Sequence, residues 1–240
     1  MGSSRPIEIS FDGLARVDGS ARFGFGDATA ALASVSGPIE VRLASELPSQ
    51  ATFDVSVRPL SNVPSTESKS QASSIRSALA PSLILNKNPR TLIQLVVQTL
   101  SPTPISGPKW TDGLLGAMIN ASTLALLNAG SVPMRGAVCA IAVGKAQGGE
   151  LLVDPEEDRT DELVQGGCFA FMVADGARLG SNSTSVWTNW RTLKGGTFNE
   201  TEIAEAREAA RDAVKRVYAA MKSSFLPGGA SDPDEEKMET

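Results

Sequence analysis

The sequence predicts an α+β domain in which mixed sheets pack against helices. Segments that alternate with period two, or that run through β-branched apolar residues, come in groups and indicate strands that follow one another. Two long helical patterns are present as well: residues 112–128 lie between two groups of strands, and residues 200–225 follow the last group. Because strands and helices do not alternate one by one, a doubly wound parallel sheet is not expected.

The first half of the chain predicts a hairpin, further strands and a first helix. Asp18-Gly19 and Gly26-Asp27 supply turn chemistry around the hairpin, and Gly37-Pro38 ends it. Phe53, Val55 and Val57 fall on one face of a half-buried strand. The predicted elements are strands at 21–25, 30–35, 39–42, 51–59 and 91–100, a helix at 74–85, and loops at 61–74 and 101–109.

The second half predicts two helices around a group of strands. Asp112-Gly113 and Ala129-Gly130 mark the start and end of a helix rich in small residues. The last helix carries an apolar stripe, with Thr197 or Asn199 as its N-cap. Between them lie predicted strands at 132–143, 150–153, 167–173 and 185–192, a glycine-rich turn at 144–149 and an acidic loop at 154–162.

Length and composition indicate one globular domain. We expect a flexible N-terminus over residues 1–13, a single domain over 14–226 and a disordered acidic tail over 227–240. No apolar run has the length of a membrane span, and residues 1–10 hold no apolar signal segment. The two cysteines, Cys139 and Cys168, lie in apolar segments and are expected to be free, buried thiols.

Charge and residue content narrow the possible functions. The chain has no histidine, which excludes Ser-His-Asp and Cys-His catalysis and the usual imidazole metal sites. A net charge of −5 argues against a protein that grips nucleic acid by itself, because such binding depends on lysine and arginine. We therefore expect no metal and no cofactor.

Four short segments carry a specific resemblance. They are Arg16-Val-Asp-Gly-Ser20, Val35-Ser-Gly-Pro-Ile-Glu-Val41, Glu46-Leu-Pro48 and Phe53-Asp-Val-Ser-Val-Arg-Pro59. Together they resemble the opening of the RNase PH family, which comprises phosphate-dependent 3′-to-5′ exoribonucleases and the ring subunits of the RNA exosome. The resemblance covers about residues 14–225. It implies the RNase PH-like fold, which is similar to the second domain of ribosomal protein S5.

The phosphate site that the resemblance implies is missing its key residues. Active members place a Gly-Thr-Arg motif at the start of the helix after the central strand, but here Gly113 is followed by Leu114 and Leu115. Asp112 adds a negative charge, and Lys109 is expected to be the only nearby cation. Like charges about 4 Å apart repel by roughly 4 kcal/mol at an effective dielectric of 20. A second family arginine, in a Gly-Arg-x-x-Glu context, has no match in residues 68–78, where Lys69 and Arg76 are the only cations. No anion pocket is expected.

The catalytic carboxylates are also incomplete. The family pattern resembles Leu-Asp-x-x-Glu-Asp followed six residues later by an aspartate, so Asp158 matches the first carboxylate and Val164 replaces the second. Asp161 and Glu162 are close but out of register. Asp158 is therefore a vestigial candidate only, and the resemblance predicts no enzyme activity.

The function that the resemblance implies is structural. The chain would pair with another RNase PH-like subunit in the exosome ring, beneath S1/KH cap subunits, and help to form the channel that threads RNA for 3′–5′ degradation and rRNA processing. Nucleus, nucleolus and cytoplasm are the implied locations. Arg16, Arg22 and Arg42 are candidates for contacting RNA or a neighbour, against the simpler interpretation that they are solvated surface residues.

Two other functions stay open at this point. The chain could be an active phosphorolytic exoribonuclease that uses Asp158 with Asp161 or Glu162, although the missing arginine argues against it. It could also be a free-standing RNA-binding module, although its acidity argues against that. The loop at 101–109 and the acidic tail suggest no function.

Overall fold

Two five-stranded sheets enclose a central helix in the computed structural model of this chain. The structure describes residues 5–26, 29–61, 63, 65–101, 110–174 and 183–226. Within these residues, three α-helices and ten strands follow one another in chain order: β1 (Ile7–Ser10), β2 (Gly19–Phe25), β3 (Ala30–Glu40), β4 (Thr52–Arg58), α1 (Thr66–Leu79), β5 (Thr91–Thr99), α2 (Asp112–Ala129), β6 (Ala137–Ala146), β7 (Leu151–Val153), β8 (Leu163–Val173), β9 (Ser183–Thr188), β10 (Arg191–Thr192) and α3 (Glu200–Ser224). The predicted α+β class is confirmed.

The first sheet has the strand order β1-β2-β3-β5-β4. All its pairs are antiparallel except the parallel pair of β4 and β5. The second sheet has the order β10-β8-β6-β7, and β9 also pairs with β8. The first sheet is therefore mixed, as the sequence predicts, because it contains one parallel pair among antiparallel pairs.

Helix α2 is the central element of the core. It packs against β2 and β3 of the first sheet and against β6 and β8 of the second. Its residues Asp112 to Leu126 are all buried, which explains why this helix carries apolar and small residues on all of its faces. Gly19 allows the close approach of β2, because a Cβ there would lie 2.4 Å from the backbone nitrogen of Ala129.

The other two helices pack against different parts of the sheets, and α1 also contacts α2. Helix α1 packs against β4, and α3 packs against β6, β8 and β1. The predicted apolar stripe of α3 is confirmed, because Ala206, Ala210, Val214, Val217 and Met221 are its buried residues. None of the helices in the described part of the chain combines the length and the apolar character that a membrane span requires.

The N-terminal prediction needs a correction. Residues 7–10, predicted as part of a flexible segment, form β1 and pair with β2, with Ile7 opposite Phe25. The alternation of Ile7 and Ile9 is the signal for this strand, but it is only two apolar residues long. The predicted tail at 227–240 and most of the loop at 101–109 lie outside the described residues.

The first helix was also misplaced by the sequence pattern. It spans Thr66–Leu79 and not 74–85, because Ser65 and Ser68 form a capping box that starts it within the predicted loop. Its polar residues lie on an exposed face, while Ile75, Ala78 and Leu79 are buried. Pro81 belongs to a short 3₁₀ turn that follows the helix (Ala80–Ser82).

Several strand boundaries differ from the prediction, and the thiol prediction is confirmed. The strand predicted to end before Gly37-Pro38 continues through it as β3, and β8 begins at Leu163 and not at residue 167. The strand predicted at 132–143 is β6, which starts later, and the one predicted at 185–192 is divided between β9 and β10. Cys139 and Cys168 are free and buried. Burial raises the pKa of Cys139 to about 12 and raises that of Cys168 as well, so both thiols stay protonated at neutral pH.

Candidate functional site

The start of α2 is the place where the implied phosphate site can be examined. Leu114 and Leu115, which stand where the family has threonine and arginine, are only 7% and 6% exposed and belong to the hydrophobic core. Trp110 precedes the helix and lies over Gly166 of β8, where a Cβ would come within 2.4 Å of its ring. The first turn of α2 is therefore packed against protein on these sides.

An ion pair between a buried carboxylate and a partly exposed arginine lies at the first turn of α2. Asp112 is 1% exposed, and the Arg191 guanidinium lies against both of its oxygens, at 2.8 Å from Oδ1 and 2.8 Å from Oδ2. The side-chain amide of Asn189 also donates a hydrogen bond to Oδ1, at 2.7 Å. A carboxylate near a helix N-terminus is favourable because the helix dipole is positive there.

Arg191 is a cation next to Asp112 that the sequence alone does not predict. The prediction that Lys109 is the only cation near Asp112 is wrong, because β10 brings Arg191 into direct contact with this carboxylate. Asp112 therefore does not exclude phosphate by unopposed repulsion. Its carboxylate lies at the helix start and binds Arg191, the cation that a bound oxyanion would need.

A second buried ion pair lies beside the first turn of α2. Arg5 donates from Nε to Oδ2 of Asp154 at 2.9 Å, contacts Oδ1 through Nη2, and donates from Nη1 to Thr29 Oγ1 at 2.8 Å. The side chains of Arg5 and Asp154 are 10% and 0% exposed. A Cβ placed on Gly113 would lie 3.5 Å from Nη2 of Arg5, which locates this pair at the helix start.

Sequence reasoning missed this second pair. Arg5 fell within the predicted flexible segment, and Asp154 was grouped with an acidic loop. Burial raises the pKa of Asp154, while the hydrogen bond and charge of Arg5 act in the opposite direction. The two ion pairs together bring two cations and two carboxylates to the α2 start, so the described residues there offer an oxyanion no unpaired guanidinium.

The predicted catalytic carboxylate lies in a different environment. Asp158 is exposed in the 3₁₀ turn Glu157–Glu162, and Asp161 and Glu162 are exposed too. Arg159 bridges Glu150 at 3.2 Å and Glu162 at 3.5 Å on the surface. Lys194 Nζ donates to the carbonyl oxygen of Asp161. Asp158 and Asp161 are thus solvated, and Glu162 pairs with a surface cation. The described residues contain no acidic, cysteine or histidine cluster that could hold a metal ion.

A third polar cluster lies at the start of α3. Glu202 accepts hydrogen bonds from Lys145 Nζ at 2.8 Å, from the Asn199 backbone at 2.9 Å and from Gln165 Nε2 at 3.3 Å. These bonds lower the pKa of Glu202 to about 2, with the Lys145 bond as the largest cause. Asn199, one of the two predicted N-caps, forms a capping box with Glu202. This cluster caps a helix and contains no unpaired acid for catalysis.

The three arginine candidates do not form one patch. Arg16 is exposed in the turn before β2 with φ of 67°, and Arg42 is exposed just after β3. Arg22 is exposed on the outer face of the first sheet, where it lies opposite Leu32. No contact with RNA or a neighbour is present to test these residues, so their role stays a prediction.

Comparison with known proteins identifies the family. Residues 3–131 match the family model described as the 3′ exoribonuclease family, domain 1. The chain belongs to the RNase PH family. The fold class and the resemblance that the N-terminal segments predict are thereby confirmed.

Individual relatives agree with this assignment. An exosome complex component named rrp46 from Schizosaccharomyces pombe is 38% identical over 130 residues, which cover 53% of this chain and 53% of that protein. The chain thus matches about half the length of that relative. The component named RRP46 from Saccharomyces cerevisiae is 30% identical over 193 residues, 79% of this chain and 82% of its own length. The particular ring subunit that segments 16–20, 35–41, 46–48 and 53–59 resemble is ribosomal RNA-processing protein 46, and these names confirm that resemblance.

The structural comparison agrees on the fold. The crystal structure of rice (Oryza sativa) Rrp46 has a TM-score of 0.76, covering 92% of this chain and 95% of that chain at 22% identity. At this identity the likeness establishes the fold alone. It extends over nearly all of the chain, including the second sheet that the family model does not reach.

Proposed function

We propose that this RNase PH-family chain is a non-catalytic ring subunit of an RNA exosome. It pairs with another RNase PH-like subunit, and the closed ring threads RNA toward 3′–5′ degradation and rRNA processing. S1/KH cap subunits are further partners, and nucleus, nucleolus and cytoplasm are the places where it acts. The names of the two yeast relatives support the exosome assignment.

One observation supports the non-catalytic role above the others. Asp112–Arg191 and Arg5–Asp154 fill the start of α2 with protein charges, while Leu114 and Leu115 are turned into the core. Phosphorolysis requires an oxyanion held there by free donors and cations. In the part of the chain that the structure describes, both guanidiniums at this helix start, those of Arg5 and Arg191, already face a carboxylate.

The RNA role is shared with neighbours under this proposal. A chain with a net charge of −5 attracts RNA weakly on its own, because affinity for phosphates depends on clustered cations. Arg16, Arg22 and Arg42 are the residues through which it would contact RNA or an adjacent subunit.

Co-expression with candidate RNase PH-like subunits tests the proposal. We expect the full chain to form a stable heterodimer or ring, measured by light scattering, and to release no nucleoside diphosphate from RNA when inorganic phosphate is added. An active RNase PH serves as the positive control for the assay. A homohexamer that releases nucleoside diphosphates would make the chain a phosphorolytic exoribonuclease, and a monomer that binds RNA alone would make it a free-standing module.

A further inference from the structure

A groove lies at the open edge of the first sheet. Strand β4 pairs with β5 on one side and, among the described residues, with no other strand on its second side. Helix α1 packs beside this edge and forms the far wall of the groove. The groove has a volume of about 250 Å³.

The lining combines apolar side chains with charges of one sign. Val55, Val57, Pro59 and Ala72 supply the apolar part, and Arg58 and Lys69 supply two positive charges. None of the described residues that line the groove is acidic, although the chain as a whole carries a net charge of −5. Asp54 and Glu67 lie next to it in sequence but outside its lining. The groove is therefore a local positive site on an acidic protein.

We propose that this groove binds an extended acidic segment of a protein partner, which adds to the first sheet as a strand next to β4. An unpaired edge strand presents backbone N–H and C=O groups that another extended backbone satisfies. The valines and Ala72 receive the apolar side chains of that segment, and Arg58 and Lys69 bind its carboxylates. This inference goes beyond the ring role and does not depend on it.

A peptide fits the groove better than RNA does. Single-stranded RNA is usually held by aromatic side chains on which its bases stack, and the groove has no aromatic residue among those that the structure describes. Its two cations would neutralise only two phosphates. The free strand edge, in contrast, matches the hydrogen-bonding pattern of a polypeptide backbone and of no other common partner.

Each end of the groove limits which segment can bind. Arg58 and Lys69 are exposed, so their charges are available to a partner. Asp54 is exposed at the other end of β4 and repels carboxylates placed beyond the groove. The acidic residues of the partner are therefore expected near the C-terminal end of β4.

The test uses the full chain and a synthetic nine-residue peptide in which valine alternates with glutamate. We expect saturable binding by fluorescence anisotropy, and slower amide hydrogen exchange along Thr52–Arg58 when the peptide is bound. Two control peptides separate the contributions: one carries lysine in place of glutamate, and one is N-methylated so that it cannot donate backbone hydrogen bonds. Both are expected to lose binding.

A pair of matched variants tests the residues. Charge reversal in Arg58→Glu/Lys69→Glu is expected to weaken peptide binding by about tenfold or more, because both attractions become repulsions. Lys87→Glu/Arg135→Glu changes the net charge equally at exposed residues outside the groove and is expected to leave binding within about twofold. All four positions are exposed, so both variants should fold, which thermal melting verifies.

Several results would overturn the proposal. Equal binding of the lysine peptide, unchanged binding by Arg58→Glu/Lys69→Glu, or unchanged exchange along β4 would each exclude the acidic strand. Binding of a uridine oligonucleotide that only the groove variant abolishes would assign the groove to RNA instead. None of these results bears on whether the chain assembles into a ring, which light scattering of the co-expressed subunits reports separately.

Discussion

The start of α2 and the 3₁₀ turn Glu157–Glu162 hold the same kinds of side chains in opposite environments. At the α2 start the Arg5 and Asp154 side chains are 10% and 0% exposed, whereas Arg159 and Glu150 near the turn are 40% and 64% exposed. Solvated pairs contribute little to stability, but a buried charge that loses its partner is costly. The first region is thus part of the fold's stability, and the second is a solvated surface turn.

Removing Arg5 from the buried pair with Asp154 is expected to have the largest effect on stability. Arg5→Met leaves the Asp154 carboxylate buried without its counter-charge, which is expected to lower the free energy of unfolding by about 3 kcal/mol. Urea unfolding at neutral pH measures the change. The double variant Arg5→Met/Asp154→Asn removes both charges and should recover most of the loss, since the asparagine tolerates the φ of 52° at this position. A loss in Arg5→Met below about 0.5 kcal/mol would mean that the pair is no more important than a surface pair.

The same variant has a defined pH dependence. Burial raises the pKa of Asp154 above its ordinary value, so its protonation favours the folded state. This contribution is fully present below the unfolded pKa and is lost as the pH rises through the folded pKa. Without Arg5 the folded pKa rises further, and the destabilisation of Arg5→Met should shrink as the solution is made more acidic. A destabilisation that grows toward acidic pH would contradict this sign.

Asp112→Asn is expected to have a smaller effect than loss of Arg5. Arg191 is 39% exposed and can recover hydrogen bonds to water, so its charge is not stranded. The variant still replaces charged acceptors of Arg191 and Asn189 by a neutral amide, at a cost of about 2 kcal/mol. Differential unfolding in urea measures this, with Glu150→Gln on the exposed Arg159 pair as the matched control. An equal effect of the two variants would remove the distinction between the two regions.

These residues also show what the sequence can predict. The apolar stripe of α3 and the alternation of β4 could be read from the sequence, because the apolar residues that form each pattern are the ones that pack against the core. Leu114 and Leu115 predict that the start of α2 lacks the family's phosphate ligands; the structure buries both side chains in the core, and the loss of the site stays a prediction. The partners that fill the place are different: Arg5 and Asp154 are 149 positions apart, and only the folded sheets bring them together. The Ser-rich start of α1 was missed because its signal is a cap and not an apolar periodicity.

Glu202 provides a further test on a more exposed ion pair. Its pKa of about 2 means that ionisation stabilises the folded state, and this contribution is present above the ordinary glutamate pKa and lost as the pH falls through about 2. Glu202→Gln keeps an acceptor for the Asn199 backbone but loses the charge facing Lys145. The urea midpoint of the variant should lie below that of the wild type at pH 7, and the two should converge near pH 2. A constant difference over this range would assign the effect to the cap instead of the charge.

Asp158→Asn completes the comparison with the smallest expected effect. Asp158 is exposed in the 3₁₀ turn, so removing its charge should change the free energy of unfolding by no more than about 0.5 kcal/mol. The variant should also leave RNA processing by the assembled complex unchanged, because Asp158 is solvated and, among the described residues, the arginines at the α2 start already face carboxylates. The measurement compares wild-type and variant complexes for nucleoside diphosphate release with and without phosphate. If the wild-type complex showed a phosphate-dependent release that Asp158→Asn abolished, the surface turn would be catalytic. The exposed turn would then be the functional region, and the comparison of the two regions would fail.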